Sequence, residues 1–128
     1  MNVLEQLYET WNRHDVEGIL EFFADDLVYV DQALGLRFSS KQELGSFIAA
    51  TFDAIPELRF ELTASFATES HCAGEAVMRG RQTKDLPDQP ASGDPFTVRY
   101  AIVGDVEHGK ISRLVDYWNA SEFLGPST

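Results

Sequence analysis

Residues 58–67 read LRFELTASFA, and their period decides the class of fold. Leu58, Phe60, Leu62, Ala64 and Phe66 alternate with Arg59, Glu61, Thr63, Ser65 and Ala67. Side chains two apart share one face of an extended chain, so this spacing predicts a half-buried β-strand. Upstream the period is helical. Leu4, Leu7, Tyr8 and Trp11 fall at i, i+3, i+4 and i+7, which predicts an amphipathic helix. Asn12 to His14 break it, and Asp15 is a candidate N-cap for a second helix through Phe23 that buries Ile19, Leu20 and Phe23. Asp25-Asp26 would close that helix, and LVYVDQ (27–32) reads as a strand from its β-branched and aromatic content. A loop with Gly35 is expected over 33–39. Ser40 and Glu43 then have capping-box spacing for a third helix to about Ala54, ended by Pro56.

Downstream of the opening stretch, a turn near Ser70-His71 leads to a strand over roughly Cys72 to Thr83. LPDQPASGDP (86–95) is rich in Pro, Gly and Asp and reads as a surface loop. The final stretch, FTVRYAIVGDVEHGKISRLVDYWNASEFLG (96–125), holds two strand-like runs about a tight turn at Glu107-His108-Gly109. Asp116 and Trp118 stand two apart in its second run, so a carboxylate and an indole share a face. Helices first and long strands after predict an α+β domain. Its curved antiparallel sheet is expected to wrap as a cone around three N-terminal helices and enclose an interior pocket.

The totals narrow the function. At 128 residues the chain is read as one domain over 1–128, large enough to bury a core without staples. Ten basic against 21 acidic residues give a formal charge of −11, which repels phosphate backbones and anionic membranes; no nucleic-acid and no membrane partner is expected. Glu5 and Glu9 interrupt any signal-peptide core, and no run approaches a membrane span. With the single Cys72 excluding an internal disulfide framework, the expected address is the cytoplasm. His14, His71 and His108 are scattered and form no metal-ligand spacing. Neither a phosphate-binding glycine loop nor a nucleophile elbow is present, so neither metal nor cofactor is expected.

Two stretches resemble a known superfamily. HDVEGILEFFADDLVYVD (14–31) and GKISRLVDYWN (109–119), the latter followed by Phe123-Leu124-Gly125, are similar to segments of the nuclear-transport-factor-2-like superfamily. Gly80, Pro90, Gly93 and Phe96-Thr97-Val98-Arg99 fall between them in a matching order. Within the superfamily the chain most resembles the SnoaL-like polyketide cyclases. The resemblance implies the cone fold and a small hydrophobic ligand, and it leaves the reaction open because this fold hosts enzymes and binders alike. The general base of ketosteroid isomerases would fall on Asp31, their second Asp on Ala101, and their oxyanion Tyr on Leu7, with Tyr8 one residue away. The acid/base Asp of SnoaL-like cyclases would fall on Asp116, but its supporting His is missing between Phe96 and Val106. Arg99 with Asp116 resembles part of the Asp–Arg–Asp set of limonene epoxide hydrolases.

The candidate catalytic residues are therefore Asp116, Asp31 and Arg99. Arg99 enters the pocket if Ala101 and Val103 share the inner face; it is a surface charge if Val98, Tyr100 and Ile102 form the wall. Tyr8, Trp11, Phe47, Phe52 and Trp118 are the expected ligand-binding lining, or else plain core. The expected function is cofactor-free acid/base chemistry on a hydrophobic carbonyl compound, or non-catalytic binding of such a compound. The outer face of a curved sheet needs cover, so a homodimer is expected, with Phe66, Val77 and Tyr100 as candidate contacts.

Overall fold

A computed structural model describes residues 1–86 and 90–124. Residues 87–89 of the expected 86–95 loop, and Gly125 of the closing motif, lie outside them. The chain runs α1 (Val3–Asn12), α2 (Val16–Leu20), β1 (Phe23–Asp31), β2 (Leu36–Phe38), α3 (Lys41–Ala54), β3 (Arg59–Ala67), β4 (His71–Arg81), β5 (Pro95–Glu107), β6 (Lys110–Trp118) and α4 (Ala120–Leu124). One six-stranded sheet has the order β2-β1-β6-β5-β4-β3. Its helical face is covered by α1, which packs on β3 and β4, and by α3, which packs on β1 and β2 with α2 against its other side. The α+β class and the three N-terminal helices are as the sequence predicts.

The helices start where their caps stand. Asn2 and Glu5 close a capping box on α1, the Asp15 side chain accepts from the Gly18 N–H, and the Ser40 hydroxyl accepts from the Glu43 N–H. Each satisfies a backbone donor that the first helical turn leaves free. The buried stripe of α1 holds Leu4, Leu7, Tyr8 and Trp11.

Four expectations need correction. The second helix ends at Leu20 rather than Phe23, because the Phe22 carbonyl accepts from the Ile111 N–H at 2.8 Å and Phe23 pairs with Ile111. Tertiary strand pairing thus captures the backbone that local spacing assigns to a helix. Asp25-Asp26 consequently sit in an exposed irregularity of β1, not at a helix end. The expected 33–39 loop contains β2, which turns back on β1 through Gly35 at φ +69°. The sheet is antiparallel except between β1 and β6, which run parallel: the hairpins joining β3 through β6 force antiparallel neighbours, whereas β1 reaches β6 from far away in the chain.

In β3 the period-two reading holds as far as Leu62. A register shift between Leu62 and Ala64 then turns the strand over, so Phe66 faces outward and is 71% exposed. Ser65 takes the inner side, where it accepts a hydrogen bond from the Asn2 side chain at 2.9 Å. On β5 the inner residues are Val98, Tyr100 and Ile102, all buried, and Gly104. A β-carbon on Gly104 would stand 2.5 Å from the Arg113 carbonyl oxygen, so glycine lets β5 approach β6 closely there.

Candidate functional site

Between the helices and the concave sheet lies a cavity of about 300 Å³. Its walls come from every layer: Tyr8 and Trp11 of α1, Tyr29 and Asp31 of β1, Phe38 of β2, Phe47, Thr51 and Ile55 from α3 and its C-cap, Phe60 of β3, Met78 of β4, Tyr100 of β5, Asp116 and Trp118 of β6, and Phe123 of α4. Among the described lining residues there is no Lys, Arg or His. The chamber is aromatic, and Asp31 and Asp116 are the carboxyls among its described lining residues.

Strand pairing brings those two together. Asp31 and Asp116 are register partners on the parallel β1–β6 pair, so their side chains stand side by side on the inner face. Each is only 7% exposed. Their surroundings differ. Asp31 opens a turn in which its Oδ1 accepts from the Leu34 N–H at 3.0 Å, and the same oxygen accepts from the Trp118 indole N–H at 3.0 Å. Asp116 accepts one hydrogen bond, on Oδ2, from the Tyr29 hydroxyl. Its Oδ1 is buried without a partner.

Burial dominates the protonation of both groups. It pushes Asp116 up to about 7, helped by the neighbouring Asp31 charge and opposed by the Tyr29 hydrogen bond. Asp31 is also raised by burial, against the stabilising Leu34 and Trp118 donors. The phenols of Tyr8, Tyr29 and Tyr100 are held well above their usual range, first by burial and then by Asp116 for Tyr8 and Tyr29 and by the neighbouring Tyr8 for Tyr100, so they remain donors. A carboxyl that titrates near neutrality among neutral phenols can both take up and return a proton.

The expected site residues divide clearly. Asp116, Asp31, Tyr8, Trp11, Phe47 and Trp118 meet in the cavity. Arg99 does not. Its side chain is 80% exposed on the outer face of β5 and pairs with Glu122 at 3.4 Å; Val98, Tyr100 and Ile102 are the inward, buried residues, and of these Tyr100 lines the cavity. Phe52 also lies outside. Thr51 lines the cavity, and the next residue on a helix lies about 100° further round, where Phe52 stacks on the His14 ring at 4.1 Å and meets Trp11 edge-on. Tyr8 points inward although Leu7, not Tyr8, occupies the position matching the isomerase oxyanion Tyr. The sequence reading missed Tyr29 and Tyr100. Tyr29 could have been found, since it stands two before Asp31 on one strand and must share its face.

Among the described residues no group of three or more His, Cys, Asp or Glu could hold a metal. No described helix is long and apolar enough to cross a membrane.

A SnoaL-like domain model matches residues 4–114. The chain belongs to the SnoaL-like family. Solved structures agree on the fold. A candidate polyketide cyclase from Pseudomonas putida superposes with a TM-score of 0.83 at 19% identity, over 100% of this chain and 99% of that one. The corresponding figures for IdmH, a candidate polyketide cyclase from Streptomyces antibioticus, are 0.78 and 20%, over 95% and 93%. A protein of ketosteroid-isomerase-like fold from Catenulispora acidiphila, solved with trimethylamine, gives 0.80 and 23%, over 94% and 87%. No curated protein matches the chain. This SnoaL-like chain departs from the pattern expected of the cyclases in having Tyr29, not a histidine, hydrogen-bonded to Asp116.

Proposed function

We propose that this SnoaL-like protein is a cofactor-free acid/base enzyme of the cyclase, isomerase or lyase type, acting on a hydrophobic carbonyl compound. The observation that supports it most is Asp116: a buried carboxyl at the polar end of an apolar cavity, pushed to about 7, with one oxygen free. Ionised, its Oδ1 would remove a proton from the carbon beside a carbonyl. The new O–H bond replaces the C–H bond, and the electron pair moves onto the carbonyl oxygen. Returning that proton to another carbon is isomerisation. If the enolate carbon instead attacks a second carbonyl, the proton goes to the resulting alkoxide and a ring closes. Asp31, tied by Leu34 and Trp118, assists by its charge, which helps hold Asp116 high. The cyclase names of the related structures and the aromatic walls favour flat, apolar substrates. With no basic side chain among the described lining residues, anionic substrates are disfavoured.

The protein is further proposed to work as a homodimer through the outer sheet face, in a reducing compartment such as the cytoplasm, where the lone Cys72 stays a thiol.

A second reading is a non-catalytic binder, in which the same polar groups only orient ligand; the related structure solved with trimethylamine favours it. The two separate in heavy water. Aromatic polyketides, steroids and terpenoid ketones are incubated with the protein, and deuterium incorporation beside the carbonyl is followed by NMR. The enzyme reading predicts exchange above background, reduced on the order of 100-fold by Asp116→Asn. Compounds that bind without exchange would establish the binder reading instead, as would exchange that Asp116→Asn leaves unchanged.

A further inference from the structure

Among the described residues, two buried side-chain polar atoms lack a hydrogen bond of ordinary geometry: Asp116 Oδ1, and the Tyr100 hydroxyl oxygen, which has the Tyr8 hydroxyl beside it without a well-formed bond. Both residues line the same cavity. Buried polar atoms are satisfied in the great majority of cases, so an unsatisfied pair at one place calls for an explanation. Register supplies the geometry. Tyr100 pairs with Trp118 and Ile102 with Asp116 across the antiparallel β5–β6 ladder, which makes Tyr100 and Asp116 diagonal neighbours on the inner face. The backbones of such neighbours lie roughly 7 Å apart, so one ligand in the cavity can reach both side chains.

We propose that Tyr100 is a ligand-contacting residue whose hydroxyl donates to the carbonyl oxygen of the substrate, while Asp116 Oδ1 faces the acidic hydrogen on the carbon next to that carbonyl. The proposal rests on the acid/base reading of the site and narrows its substrate class to enolisable ketones. When the C–H bond breaks and the Oδ1–H bond forms, the electron pair moves to the carbonyl oxygen. Tyr100 holds that charge through its O–H without surrendering its proton, because burial keeps the phenol well above its ordinary range. Tyr8 is an alternative donor: its ring lies edge-on to Tyr100, with centroids 6.2 Å apart, and its hydroxyl stands beside that of Tyr100.

Binding, not turnover, tests this, so the outcome is separable from the acid/base reading. The probes are β-tetralone and tetralin, which share a ring system and differ by the carbonyl, titrated by NMR into wild type, Tyr100→Phe, Tyr8→Phe and Asp116→Asn. Wild type and Tyr8→Phe are expected to prefer the ketone by on the order of tenfold, Tyr100→Phe to lose the preference, and Asp116→Asn to keep it. A preference that survives Tyr100→Phe, one that is instead lost in Tyr8→Phe, or its absence from wild type would overturn the proposal. The ligand-free melting temperature gives an independent readout. Because the Tyr100 hydroxyl makes no well-formed bond and has only the Tyr8 hydroxyl beside it, its removal should leave Tyr100→Phe as stable as wild type or more so, whereas deleting a hydroxyl that holds the fold together would lower its melting point. A lowered melting point would therefore also count against the proposal.

Discussion

Asp116 is held away from its ordinary ionisation chiefly by the water it lacks. Its carboxylate has one hydrogen bond, from Tyr29, and a second carboxyl as its strand neighbour. The consequence for stability has a definite sign. A carboxyl whose folded value is raised binds its proton more tightly in the native state, so stability is fully present below about pH 4 and is lost as pH rises toward about 7. The gap between 3.8 and about 7 corresponds to at most on the order of 4 kcal/mol. Asp116→Asn removes that titration. Thermal melts should show the variant gaining on wild type as pH rises from 4 to 7, with the gain level above that range. A stability difference that stays constant across the range would show that the carboxyl is not desolvated.

At the level of elements, legibility depended on whether local spacing alone decided the outcome. The α1 stripe and the Ser40 cap are local matters, and both stand as the sequence reads. The end of α2 was hidden because its last residues are claimed by Ile111 on β6, a partner no window of neighbouring residues contains. The outward turn of Phe66 depends on a register shift in β3 that the unbroken alternation of 58–67 conceals. For β5, apolar residues on both faces made the pattern symmetric, and only the packing of Tyr100 against Tyr8 and Phe60 distinguishes the wall from the surface. Asp31 and Asp116 were legible as candidates. Their side-by-side placement was not, because it arises from the one parallel pairing in the sheet.

The whole molecule presents a second apolar surface besides its cavity. On the outer face of the sheet Val103 is 40% and Tyr117 48% exposed, in register around the buried Val115 and near the half-buried Val77. Tyr100, a candidate for this contact from sequence, faces the cavity instead. A homodimer through this face should appear by analytical ultracentrifugation at micromolar concentration, and Tyr117→Glu should shift it to monomer; a monomeric wild type would refute it. Dimer or monomer, the chemistry of the site turns on one proton. The most direct measurement is a carboxyl-carbon NMR titration that follows Asp116 in the folded, ligand-free protein. A midpoint near pH 7 is expected. A midpoint at the ordinary carboxyl value, near 4, would contradict it.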